Sequence, residues 1–165
     1  HQIYIHPPKE LVIHPPVRHE QMIREIFTQL GVEPKIKTAT GDFQIQLNES
    51  VIAVIAESHN QVGKISVSRY GKDIEAVVYQ QLKRLCIDRM ETVYLYLKLN
   101  DPLTAALAER FEQMGFFFSG VMPGSEGRDV LILQYLNNYV IDFDKLAIAG
   151  DMGKKILEYI KKEIR

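Results

Sequence analysis

The side chains best able to do chemistry are thinly spread along this chain. His6, His14 and His19 are near enough in sequence to suggest metal ligands, Glu57 and His59 are candidate bases, Cys86 is the only thiol, and Ser119 stands between Phe118 and Gly120. A metal site needs donors that converge. The 6–14–19 spacing does not place the three histidines on one helix face, and the Pro-Pro after two of them fixes extended backbone. They read as packing or turn residues, and no metal site is expected. Ser119 fails as a nucleophile, because Gly-x-Ser-x-Gly is absent and the strand continues into a hairpin rather than a helix. Cys86 sits beside Leu82 and Leu85 in a helical pattern and reads as a buried structural thiol. Glu57, at the end of an apolar strand, and His59, in a turn, could take a proton from an acceptor amine. A strand-end glutamate and a turn histidine are, however, ordinarily solvated.

The elements that must position these residues alternate between helix and strand. Tyr4 to Pro8 and Val12 to Pro16 are two similar extended pieces ended by Pro-Pro. Met22, Ile23, Ile26, Phe27 and Leu30 follow a helical period that Gly31 ends. Residues 35–47 suggest one or two short strands, with Phe43, Ile45 and Leu47 alternating against Gln44 and Gln46. Asn48-Glu49-Ser50 makes a turn. Val51 to Ala56 is continuously apolar, which predicts a strand buried on both faces. Ile65 and Val67 alternate in the next strand. A helix from about Asp73 to Arg89 carries Ile74, Val77, Val78, Leu82 and Leu85 on one stripe, with Asp73 as its N-cap. Thr92 to Leu99 is a strand with Val93, Leu95, Leu97 and Leu99 on one side and Tyr94, Tyr96 and Lys98 on the other. Those tyrosines predict a sheet face covered by helices or by a partner.

Asp101-Pro102 starts a helix as cap and N1 proline, Leu103, Leu107, Phe111 and Met114 form its stripe, and Gly115 closes it. Phe116 to Val121 and Val130 to Leu136 form a hairpin around Pro123-Gly124-Ser125-Glu126-Gly127. An irregular stretch around Asp142–Gly150 leads to a final helix capped by Asp151. The strand–helix–strand unit from about 64 to 99 requires a parallel crossover.

At 165 residues the chain is one domain, long enough to bury roughly 70% of its unfolded surface. A net charge of −1 with scattered Lys and Arg leaves no electrostatic footprint for nucleic acid or anionic lipid. One cysteine excludes an internal disulfide. No apolar run approaches membrane-span length and no signal peptide is visible, so the cytoplasm is the expected location. The chain begins HQIYIHPP without an initiator Met and reads as a fragment of something longer.

Arg110-Phe111-Glu112-Gln113-Met114-Gly115-Phe116 is similar to the ending of the fourth helix in the GNAT acyltransferase family, where Gly-Phe opens the sixth strand. The element order over about residues 10–136 resembles the same family. Val12 to Val32 and Gly115 to Asn138 are similar to the C-terminal GNAT-like module of larger bacterial multidomain proteins. The resemblance implies an α/β fold: a mixed, mostly antiparallel sheet with a splayed parallel central pair and flanking helices. Residues 1–165 would form a single such domain, with 140–165 as a C-terminal helical extension.

The resemblance also implies an acetyl-CoA site with a pyrophosphate cradle, Gln/Arg-x-x-Gly-x-Gly/Ala, between strand and helix. The matching stretch is Arg69-Tyr70-Gly71-Lys72-Asp73-Ile74-Glu75. Tyr70 replaces the leading Gln/Arg, and Asp73 and Glu75 replace two glycines. Phe111 stands where the family commonly has an acidic tyrosine, and Thr104 where it often has an asparagine. The expectation is therefore a degenerate, non-catalytic acetyltransferase-like module that interacts with or regulates neighbouring domains of the same polypeptide, with no cofactor and no catalytic residues. Homo-oligomerisation stays open, while nucleic acid and membrane are not expected partners. One alternative is an active acetyl-CoA-dependent N-acyltransferase with a divergent loop, in which Val67, Arg69, Gly71 and Lys72 hold the cofactor. Another is a sensor that keeps the cleft for a small cationic or neutral ligand.

Overall fold

The computed structural model describes residues 10–38, 42–138 and 140–164. The extended piece expected at Tyr4 to Pro8, with His6, lies outside the described residues, as do residues 39–41, Tyr139 and Arg165. In chain order the elements are β1 (Val12–Ile13), α1 (Glu20–Gln29), β2 (Lys35–Ile36), β3 (Val51–Glu57), β4 (Val62–Arg69), α2 (Ile74–Ile87), β5 (Thr92–Lys98), α3 (Pro102–Gln113), β6 (Phe117–Met122), β7 (Val130–Leu136) and α4 (Asp151–Glu163). β1 and β2 form a small parallel pair, and the main sheet has the order β3-β4-β5-β7-β6. Only β4 and β5 run parallel in it; the other neighbours are antiparallel. This is the mixed, mostly antiparallel sheet with a central parallel pair that the GNAT resemblance implies.

The central pair separates. β4 and β5 pair from Val62↔Thr92 to Ser66↔Tyr96 and no further. Beyond that point Val67 and Arg69 pair only with β3, and Leu97 and Lys98 only with β7.

Period-two alternation gives the sheet one covered face. Ile65, Val67, Val93, Leu95, Leu97, Phe118, Leu131 and Leu133 are buried and share a single core with Ile23 and Phe27 of α1, Ile74 and Val78 of α2, and Leu107 and Phe111 of α3. Each fully buried side chain of this size contributes about 1.5–3 kcal/mol. Helix α2 lies so close to β4 that a Cβ at Gly63 would come 2.9 Å from Leu85 Cδ1. Helix α4 packs Met152, Ile156, Tyr159 and Ile160 against the same core and touches β6 and α1. The opposite face carries Lys64, Ser66, Tyr94, Tyr96 and Ile132, half-buried and outside that core. Tyr94 and Tyr96 stack on it with ring centroids 6.3 Å apart. Gln134 and Phe117, which share a row with Tyr94 on this face, are buried.

β3 departs most from its sequence reading. It is an edge strand, not one buried on both faces: Val51 is 51% exposed, Val54 38% and Ile55 56%. A continuous apolar run is equally compatible with a central and an edge position, since hydropathy alone does not fix strand order. Two helix starts also differ from expectation. Asp73 occupies the N-cap position of α2 without making a cap hydrogen bond, and Gly150 rather than Asp151 precedes the first residue of α4. Asp101 does cap α3, accepting from the Leu103 N–H at 3.0 Å with Pro102 at the helix start. No helix among the described residues is long and apolar enough to cross a membrane.

Candidate functional site

The stretch leaving β4 and entering α2 lies where the two central strands part. Tyr70 is 4% exposed, and its hydroxyl is 2.8 Å from Thr104 Oγ1 on α3. The Thr104 hydroxyl in turn donates to the Lys98 carbonyl at the end of β5, at 2.6 Å. The single hydroxyl proton of Thr104 is thereby committed, so Tyr70 is the donor in their shared bond. Burial pushes the Tyr70 phenol well above its ordinary value, although the Thr104 bond works the other way. Tyr70 and Thr104 thus tie the diverging ends of the central strands together from inside.

Gly71 follows, and its missing side chain is used. A Cβ there would overlap the Glu49 carbonyl carbon and the Ser50 nitrogen. Residues 47–50 run directly across this point. Leu47 forms a parallel bridge with Gly71, and the Leu47 carbonyl accepts from the Lys72 N–H at 2.8 Å. The Gly71 N–H donates to Ser50 Oγ at 2.9 Å. Asp73 Oδ1 accepts from the Ser50 N–H at 2.8 Å and from the Ser50 hydroxyl at 2.7 Å. These bonds, the hydroxyl one foremost, hold the Asp73 carboxyl below its ordinary value. Ile74 N–H is taken by the Gly71 carbonyl at 3.1 Å.

A diphosphate cradle requires glycine to bring the backbone close to the anion and free N–H groups to bind it. Here the close approach is filled by the chain's own backbone, and the N–H groups of Gly71, Lys72 and Ile74 are already paired. These residues do not fit the diphosphate of a coenzyme A. Glu75 is not left as a bare negative charge, since Arg110 Nη1 lies 2.7 Å from its carboxylate.

The remaining residues of interest are dispersed. Val67 is 4% exposed and faces the core, while Arg69 and Lys72 are exposed. Phe111 is fully buried in the core and Thr104 is committed as described. Glu57 faces Lys64 at 2.9 Å on the sheet edge, a bond that lowers its carboxyl and raises the Lys64 ammonium. His59 is exposed in the following turn. Neither candidate base belongs to the Tyr70–Gly71 region. Cys86 is half-buried, with burial raising its thiol.

Residues 47–50 thus form a strap over Gly71, and beside it runs an open groove of about 720 Å³, lined by Asp42, Phe43, Gln44, Ile45, Lys72 and Arg110 among others. The Arg110 guanidinium carbon is 5.4 Å from the Phe43 ring centroid.

A second cluster forms where α4 meets α3. His19, fully buried, places Nε2 against the Glu112 carboxylate and Nδ1 2.6 Å from the Tyr159 hydroxyl. Glu163 stands near enough that it, His19 and Glu112 could together contact one ion. A cation is already provided: Arg18 reaches Glu163 at 2.9 Å and Glu112 at 3.7 Å. His14 is no part of this group; its N–H donates to the Leu99 carbonyl at 2.7 Å, and burial, ahead of nearby Lys37, lowers its imidazole.

The strap and the histidine cluster were not foreseen from the sequence. Ser50 stood only in a turn, and Glu112 and Tyr159 only in helices.

No family model and no curated protein matches the chain. Solved structures resemble part of it, among them two acetyltransferases. A Bacillus subtilis acetyltransferase in complex with CoA shares 14% identity with a TM-score of 0.40, covering 59% of this chain and 72% of that one. The N-terminal domain of a ribosomal-protein-alanine acetyltransferase from Clostridium acetobutylicum shares 16% with a TM-score of 0.37, covering 53% and 72%.

Proposed function

We propose that this chain is a GNAT-like module that does not carry out acyl transfer. It works in the cytoplasm as an interaction or regulatory unit toward neighbouring domains of the same polypeptide. One observation carries this reading: the backbone of residues 49–50 occupies the space beside Gly71 that a diphosphate would need. The N–H groups of Gly71, Lys72 and Ile74 are spent on Ser50, Leu47 and Gly71. An anion entering there would have to break these bonds and lie beside the Asp73 carboxylate.

Calorimetric titration with acetyl-CoA and with CoA, up to low millimolar ligand, tests the reading. The expected result is no heat and no thermal shift. Binding tighter than about 10 μM, roughly −7 kcal/mol, would overturn it and return the chain to the acyltransferases with a divergent loop.

The groove beside the strap favours a second reading, a small-ligand sensor. Its cationic groups, Lys72 and Arg110, stand beside the apolar Phe43 and Ile45. Asp42 lines the groove as well and Arg110 is already paired with Glu75, so the lining is close to neutral and suits a small neutral or zwitterionic ligand with an apolar part. A small neutral or zwitterionic compound with an apolar part that raises the melting temperature, with the effect lost on Arg110→Ala, would support this reading. Equal effects on both chains would reject it.

A further inference from the structure

The two edges of the main sheet are treated differently. β6, at one edge, is packed by α4 and α1. β3, at the other, has Val51, Val54 and Ile55 exposed and only one charged residue, Glu57 at its end. Soluble proteins normally blunt such an edge with lysine, proline, a bulge or a covering element, because unpaired strand backbone recruits another strand. VIAVIAE has neither a mid-strand charge nor a proline, and its one irregularity against β4 is a register shift between Val51 and Ile52, at the very start of the strand.

We propose that β3 pairs antiparallel with β3 of a second copy of this chain, about a two-fold axis through Val54, joining the two sheets into one. The strand is self-complementary in that register. Val54 faces its own counterpart, Ile52 faces Ala56, and Ala53 faces Ile55, so every isoleucine meets an alanine. All seven residues of the strand are used. Cross-strand pairs of this kind are the unit of sheet stabilisation.

Charge agrees with the same register. Val51 lies opposite Glu57 of the second copy, and on its other side Val51 pairs with Arg69 of its own chain. Arg69, Val51 and the second copy's Glu57 therefore form one row across the joined sheet. Arg69 is exposed and makes no ion pair among the described residues, so each end of the strand brings Glu57, which already meets Lys64 of its own chain at 2.9 Å, toward a second cation. The axis also keeps the two Glu57 residues apart, at opposite ends of the ladder. Because a two-fold interface consumes the β3 edge of both copies, pairing through this edge stops at two chains.

Two measurements test this. Sedimentation of the parent chain should give twice the 19.0 kDa chain mass, and Ile55→Lys should give a monomer with unchanged circular dichroism. In a Cys86→Ser background, Val54→Cys should oxidise to a disulfide-linked dimer, because opposed residues on antiparallel strands have Cα atoms about 4.5–5.5 Å apart. Val51→Cys should not, because its counterpart would lie about 20 Å away along the strand. A parent chain that stays monomeric at every concentration, or Val51→Cys cross-linking as readily as Val54→Cys, would overturn the proposal. The parent mass alone decides the matter if a variant fails to fold.

Discussion

The Tyr70 hydroxyl donates to Thr104 Oγ1 across 2.8 Å, joining the residue that follows β4 to the helix that follows β5. The two strands have already ceased to pair at this level. The opening that would define a ligand cleft is therefore bridged by side chains at its inner end, and residues 47–50 lie over its outer end. Two closures, one between residues 34 apart in sequence and one between residues 23 apart, act on the same place.

The order of donation makes the Tyr70–Thr104 pair asymmetric. In Tyr70→Phe, Thr104 still donates to the Lys98 carbonyl and loses only a donor to its lone pair, which should cost about 0.5–1.5 kcal/mol. In Thr104→Val, the buried Tyr70 hydroxyl loses its acceptor and the Lys98 carbonyl loses its donor. That change should cost about 1–3 kcal/mol. The double variant should recover part of the Thr104→Val loss, since removing both partners removes the unsatisfied group. Urea unfolding of the three chains measures this, and a larger loss from Tyr70→Phe would contradict the donor order.

Asp73 predicts a pH dependence with a definite sign. Its hydrogen bonds to Ser50 lower the carboxyl in the folded chain, so folding favours the carboxylate. The contribution is complete above the ordinary aspartate value near pH 4 and fades as pH falls through the lowered folded value. Asp73→Asn keeps an acceptor for Ser50 but removes the titration. Its urea midpoint should fall less steeply than that of the parent on the acid side of about pH 4. Parallel acid limbs for the two chains would show that the Ser50 bonds do not distinguish the carboxylate from the acid.

What the sequence revealed and what it hid divide along a physical line. Local signals were legible: the alternation of β5, the Asp101-Pro102 start of α3, the helical stripe of α2 and the hairpin around residues 123–127 all depend on neighbours a few positions apart. The Gly71 stretch was also legible as the place to look. Its actual closure was not, because Ser50 and Asp73 are separated by 23 residues and Tyr70 and Thr104 by 34. No local period records such pairs. The apolar run of β3 misled for a related reason: its composition says that it is a strand, while its exposure depends on which strands lie beside it.

The His19 cluster yields the last prediction, concerning what holds α4. The Tyr159 hydroxyl bonds His19 Nδ1, the other ring nitrogen faces Glu112, and the Tyr159 ring meets Phe118 edge-on with centroids 5.2 Å apart. Burial, with Glu163 assisting, pushes the Tyr159 phenol up to about 12, so it remains a neutral hydroxyl throughout the physiological range. Tyr159→Phe retains the ring contact and deletes only the hydroxyl, leaving a buried imidazole nitrogen without its partner. A loss of about 1–3 kcal/mol is expected. His19→Leu removes the group that both Tyr159 and Glu112 address and leaves the largely buried Glu112 carboxylate with Arg18 alone, at 3.7 Å, so it should cost more than Tyr159→Phe. Urea unfolding ranks the two variants, and limited proteolysis within residues 140–150 reports whether α4 is released first. If Tyr159→Phe matches the parent in both measurements, α4 is held by its apolar stripe of Met152, Ile156 and Ile160 alone, and the buried histidine plays no part in docking it.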